Sequence, residues 1–128
     1  LAHQLELEVG DPVLMVRKRV LAGEMPVIYS VDYLPAKLLD HESAQRQDFA
    51  LPIFDILQEV CGVSVTSTVT HTSAVLGDAA IRKTLEVPDH EALLLMDEIS
   101  FSKLTRPVMY SLSYYTNFFS FSLLRKKV

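Results

Sequence analysis

The chain has 128 residues, 49% of them hydrophobic and 22% charged, with a formal net charge of −4 at pH 7. These values exclude a disordered chain and argue against a piece that grips nucleic acid phosphates by itself. The only cysteine, Cys61, excludes an intrachain disulfide, and no apolar run approaches the ~18 residues of a membrane span.

The length fits one domain, 1–128, able to bury a core without disulfides or metals. A reducing cytoplasm suits the cysteine usage, and no basic-then-apolar leader is present. The start at Leu1, without methionine, suits a fragment of a longer protein or a processed one.

In chain order, VLMVRKRVLA (Val13 to Ala22) is β-branched and apolar with little helical period and reads as a strand. Gly23 and Glu24 turn the chain, and Val27 to Leu34 returns as the second strand of a hairpin that Pro35 ends. Lys37 to Leu51 is polar and irregular, a short helical turn plus loop. Pro52 starts a helix, because Ile53, Ile56, Leu57 and Val60 form one apolar stripe and Gly62 is a natural stop. Val63 to Leu76 is a long strand of Thr, Ser and Val. Asp78 can cap a short helix through Leu85, and Val87-Pro88-Asp89 turns the chain. Leu93 to Lys103 and Val108 to Thr116 form a second hairpin, and Phe118 to Lys127 reads as a last strand. The order β-β-α-β-α-β-β-β predicts an α+β domain, a mostly antiparallel sheet with helices packed on one side.

The hairpins resemble each other. PVIYSVDY starts at Pro26 and PVMYSLSY at Pro107, a gapless shift of 107 − 26 = 81 that also aligns Leu14-Met15 with Leu95-Met96. Two related hairpins in one sheet explain this, since two copies are too few for a solenoid. Side chains alternate faces along a strand. In the first strand Val16, Lys18 and Val20 share one face and Arg17 and Arg19 the other. The same shift puts Glu98 and Ser100 in the places of Arg17 and Arg19. Ser30 and Asp32, then Met109, Ser111, Ser113 and Tyr115, fall on one parity, so each hairpin is expected to carry a polar face.

No nucleophile triad, metal spacing or Gly-rich phosphate loop is found, so neither metal nor cofactor is expected. His71 shares parity with valines and reads as a packed or interface residue. Cys61, at a helix end, reads as a buried structural thiol. Arg17 and Arg19 at i, i+2 can clamp a carboxylate or phosphate bidentately; a solvated strand face completed by Lys18 is the other reading. Arg125-Lys126-Lys127 reads as a solvated tail.

Several stretches in order carry a family resemblance: VGDPVL, PVIYSVDYLP, IFDILQEVCGVSV, AAIRKTLEVP, ALLLMDEISF and RPVMYSLSYYTNFFSF. From about Val9 to Arg125 the chain resembles the UTRA domain, the C-terminal effector-binding domain of GntR-type bacterial transcription regulators of the HutC subfamily. The resemblance implies a chorismate-lyase-like fold, a bound small metabolite, a homodimer, and operator DNA contacted only through an N-terminal winged helix-turn-helix outside this chain. Arg17 and Arg19 fit the Arg-x-Arg of sugar-phosphate-sensing members, although the turn to Pro26 is one residue longer, and Tyr115 falls on a family tyrosine. Ser30 and Met109 stand where relatives often have glutamates, Pro52 replaces a phosphate-holding serine, and Phe54 replaces a tyrosine. Pro52 also lacks the backbone donor of an anion-binding helix start. Together with the polar faces, this gives an expected effector site of Arg17, Arg19, Ser30, Phe54, Glu98, Ser100, Met109, Ser111 and Tyr115. The expected ligand is a small anionic metabolite with an apolar body, and the expected role is regulatory, in the cytoplasm, with no membrane contact. A chorismate-lyase-like enzyme with Glu98 as its acid and a ligand-free dimerisation module are the alternatives.

Overall fold

A computed structural model describes residues 1–122 and residue 124, apart from the side chain of His41. Its frame is one five-stranded antiparallel sheet: β1 (Val13–Ala22), β2 (Met25–Pro35), β3 (Val65–Val75), β4 (Leu93–Ser102) and β5 (Pro107–Tyr115). The strand order is β1-β2-β5-β4-β3, so β2 and β5 meet at the centre and β1 and β3 are edges. The polar stretch after β2 forms a 3-10 turn at Ala36–Leu38 and a short helix, α1 (His41–Arg46), capped by the Asp40 carboxylate. Two further helices follow, α2 (Ile53–Glu59) and α3 (Ala79–Leu85). No helix among the described residues is long and apolar enough to cross a membrane.

Two expectations are corrected. The last strand is absent where the chain is described: Asn117 and Phe118 turn, and 119–122 is irregular, while the rest of that stretch, with most of the basic tail, lies outside the described residues. Both edges of β5 are already taken by β2 and β4, so no ladder position beside it is left. The helices also lie on both faces of the sheet. The apolar stripe of α2 places Leu57 in a core cluster with Val16, Leu34 and Met109. On the opposite face, Ile81 and Thr84 of α3 lie over Tyr29 and Tyr114.

Local chemistry sets the helix ends. Pro52 opens α2, whose chain leaves through Gly62 at φ +68, a conformation glycine adopts without a Cβ penalty. Asp78 caps α3 by accepting from the Ile81 N–H at 2.9 Å. Arg82, 8% exposed, fastens α3 to the strands by donating to the carbonyls of Leu76 and Glu91.

The repeated strands are the central pair, β2 and β5. Tyr29 faces Tyr114 and Tyr33 faces Tyr110 across them. Moving each member by 81 (29 + 81 = 110; 114 − 81 = 33) turns the first pair into the second. A local two-fold therefore passes through the Val31–Leu112 pair (31 + 81 = 112). Both tyrosine pairs are stacked, with centroids 6.4 and 6.1 Å apart, a geometry favourable for aromatic pairs across a sheet.

Candidate functional site

On the α2 side the same two-fold relates polar residues. Ser30 pairs with Ser113, and Asp32 with Ser111. One row further out, Lys18 of β1 pairs with Ser30 and Glu98 of β4 pairs with Ser111. These side chains floor a cavity of about 220 Å³, roofed by Ile53 and Phe54 of α2 with Met109 at its base. Ser100, 1% exposed, closes its β4 end and shares a 3.1 Å hydrogen bond with Thr68.

The sheet register decides which predicted residues meet here. Ser30, Phe54, Glu98, Ser100, Met109 and Ser111 do. Arg17 and Arg19 do not: they pair with Val31 and Tyr29, whose side chains point to the α3 face. Arg19 donates to the Thr84 carbonyl at 3.5 Å, and Arg17 borders a separate hollow of about 360 Å³ under α3. The expected clamp of Arg17 and Arg19 beside Phe54 and Met109 is therefore corrected; the cation in the cavity is Lys18. Tyr115 shares the floor's face but stands beyond it, edge-on to Phe119 and Phe121 at 5.3 and 5.4 Å.

The physical reason is turn length. The first hairpin turns tightly at Gly23–Glu24, with Ala22 paired to Met25. The second spends a longer loop between Ser102 and Arg106, whose N–H···O bond is 2.9 Å. Bulges sit at Val20/Leu21 and at Ser100/Phe101, a shift of 100 − 20 = 80 rather than 81. The counterpart of Glu98 is thus Lys18 (98 − 18 = 80), not Arg17, and every first-strand side chain changes face relative to the gapless alignment. The signal in the sequence was the spacing from Arg19 to Pro26, one residue longer than in the Arg-x-Arg members, and counting outward from Ser30 finds Lys18.

Electrostatically the floor is uneven. Glu98 accepts from Thr70 Oγ1 at 2.9 Å. Lys18 Nζ donates to the Leu51 carbonyl at 2.6 Å, which leaves two of its three donors for the cavity. Burial raises the Asp32 carboxyl above its ordinary value; Ser111 and then Lys18 oppose the rise, and Glu98 adds to it. Ser111 leans toward that carboxylate, yet its buried Oγ makes no hydrogen bond of full geometry. Burial, then the charge of Glu98, pushes the Tyr115 phenol up. On the other face, burial and a 2.9 Å hydrogen bond to Asp97 push Tyr110 up to about 12. Cys61 packs against the α2 core, and burial raises its thiol. No group of three or more His, Cys, Asp or Glu among the described residues could hold a metal ion.

A family model described as the UTRA domain matches residues 1–117. Among solved structures, the ligand-binding domain of a GntR-family transcriptional regulator from Bordetella bronchiseptica is similar at 25% identity. That match has a TM-score of 0.82 and covers 96% of this chain and 81% of that one. PhnF from Mycobacterium smegmatis superposes with a TM-score of 0.86 at 21% identity, over 99% of this chain and 56% of that one. The C-terminal domain of the histidine utilization repressor from Pseudomonas syringae superposes with a TM-score of 0.84 at 20% identity, over 99% and 87% of the two chains. The α+β, chorismate-lyase-like arrangement expected from the sequence is the fold found.

Proposed function

This chain belongs to the UTRA domain family, and from that premise we propose that the cavity on the α2 face holds the small-molecule effector of a GntR-type transcription regulator. The observation that carries this is the convergence of Lys18, Asp32, Glu98 and the floor serines in one concave site beneath an apolar roof. Effector binding biases the placement of DNA-binding heads that lie outside this chain, a population shift between operator-competent and operator-incompetent dimers. The protein acts in the cytoplasm, and operator DNA is its partner only through those heads. The edge strand β3 supplies a dimer surface: it is 11 residues long, and all but its end residues are exposed.

An enzyme of this fold is the second reading. It would need fixed arginines beside its acid, whereas Glu98 shares its cavity with Lys18. The domain is expected to leave chorismate unconsumed in a direct assay.

A metabolite-panel melting screen tests the sensing role, since a ligand that binds only the folded state must raise its melting temperature. At least one small metabolite is expected to do so. Ser30→Leu, which fills the floor, and Lys18→Ala should remove or shrink the gain, while Arg17→Ala and Arg19→Ala leave it intact. A gain unaffected by Ser30→Leu would place the effector elsewhere.

A further inference from the structure

The floor of the cavity carries opposite charges at corresponding places. Lys18 and Glu98 are counterparts under the local two-fold, as are Ser30 and Ser111, and Asp32 and Ser113. The hydroxyls keep the symmetry and the charges break it. Asp32, Ser111 and Glu98 stand on three successive strands in one row, with Ser111 in the middle. Strands lie about 4.8 Å apart, so the two acids start from backbones about 10 Å apart and lean over a shared hydroxyl.

Three observations say what the row is built to meet. Asp32 and Ser111 are each 6% exposed, and the Ser111 hydroxyl, which leans toward the Asp32 carboxylate, makes no hydrogen bond of full geometry. A ligand donor can complete the hydrogen bonding of that hydroxyl. Among the described residues, neither Asp32 nor Glu98 has a cation within ion-pair distance. A cationic nitrogen above Ser111 would meet two carboxylates and the Ser111 oxygen, while Lys18 stands in the next row, beside Ser30. Phe54, Ile53 and Met109 leave an apolar space for a short body.

We propose that the ligand of this cavity is a small zwitterion, with its cationic nitrogen seated between Asp32 and Glu98 over Ser111 and its anionic group at Lys18. This rests on the reading of the cavity as the effector site and replaces a purely anionic ligand by a dipolar one. Two charges arranged in this way also reject look-alikes, because a ligand without the nitrogen leaves the buried Asp32 and the half-buried Glu98 without a cation.

The test uses matched series and measures binding by melting and calorimetry. One series is L-phenylalanine, phenethylamine and 3-phenylpropionate; another is 4-aminobutyrate, propylamine and butyrate; glucose 6-phosphate serves as a pure anion. At least one zwitterion is expected to bind, its deaminated acid at least about tenfold more weakly and its decarboxylated amine about tenfold more weakly. Glu98→Gln should weaken both the zwitterion and the amine, whereas Lys18→Met should weaken the zwitterion alone. An acid or glucose 6-phosphate that binds as well as the zwitterions and is lost in Lys18→Met overturns the ligand class and keeps the site. Binding unchanged in Ser30→Leu overturns the site itself. If no zwitterion binds while another metabolite does so through Ser30, the proposal fails alone; if nothing binds, both readings fail.

Discussion

Asp32 is a carboxylate 6% exposed in the middle of a sheet, a place where an aliphatic residue would pack without electrostatic penalty. Burial raises its pKa above the 3.8 of a free carboxyl. A carboxyl with a raised folded pKa holds its proton more tightly when folded. Its stabilising contribution is complete below the unfolded value and is lost as pH rises through the folded one. At neutral pH the ionised Asp32 therefore opposes folding. Asp32→Asn is expected to raise the melting temperature by a few degrees at pH 7, with the advantage over wild type shrinking as pH falls through the raised folded pKa and gone below the unfolded value of 3.8. Paired melting curves across pH check this, and a gain independent of pH would mean that packing, not charge, is responsible. A residue kept at such a cost belongs to a binding floor more naturally than to a core. Its polar parity was legible in the sequence, because Ser30 and Asp32 share a strand face. Its burial was not, because that depends on β5 and α2 arriving from far along the chain.

Elements show the same division. Capping residues and apolar stripes announced α2 and α3: the Asp78 carboxylate caps one, and Ile56 and Leu57 bury the other. The side of the sheet that each helix takes is not a local property, and the expected single helical layer is two layers. Arg82 fixes that placement for α3. Its guanidinium is buried and bonds the Leu76 and Glu91 carbonyls, and Nε lies 3.8 Å from the exposed Asp89 carboxylate. Arg82→Met would keep most of the bulk and leave both carbonyls without their side-chain donor. A loss of about 2 kcal/mol is expected, read as a lower urea midpoint at unchanged slope. A loss below about 0.5 kcal/mol would show that water replaces the guanidinium at both carbonyls.

At the scale of the molecule, the sheet is closed on neither edge. β1 is half of a tight hairpin at one side, and β3, paired with β4 on its inner side, leaves its outer side open at the other, with Val69 half exposed. Long exposed edges invite pairing with another chain. If β3 forms the proposed homodimer contact, Val69→Asp places like charges across the new ladder and should shift the chain to monomer in analytical ultracentrifugation. The melting temperature should then lose its dependence on protein concentration. A Val69→Asp dimer as tight as wild type would move the interface away from β3.

Taken alone, the sequence determined the strands of both hairpins, the two helices with clear caps and stripes, the family, and the serines and apolar residues of the cavity. It could do so because alternation, capping and turn chemistry act over a few residues. Only the tertiary structure decided which of three adjacent basic residues faces the cavity. A strand's facing is set by its pairing partner, and a one-residue difference in turn length reverses it. Arg17 and Arg19 match a motif in spelling, yet Lys18 pairs with Ser30, so the cavity has an amine at one corner and two acids in the row beside it.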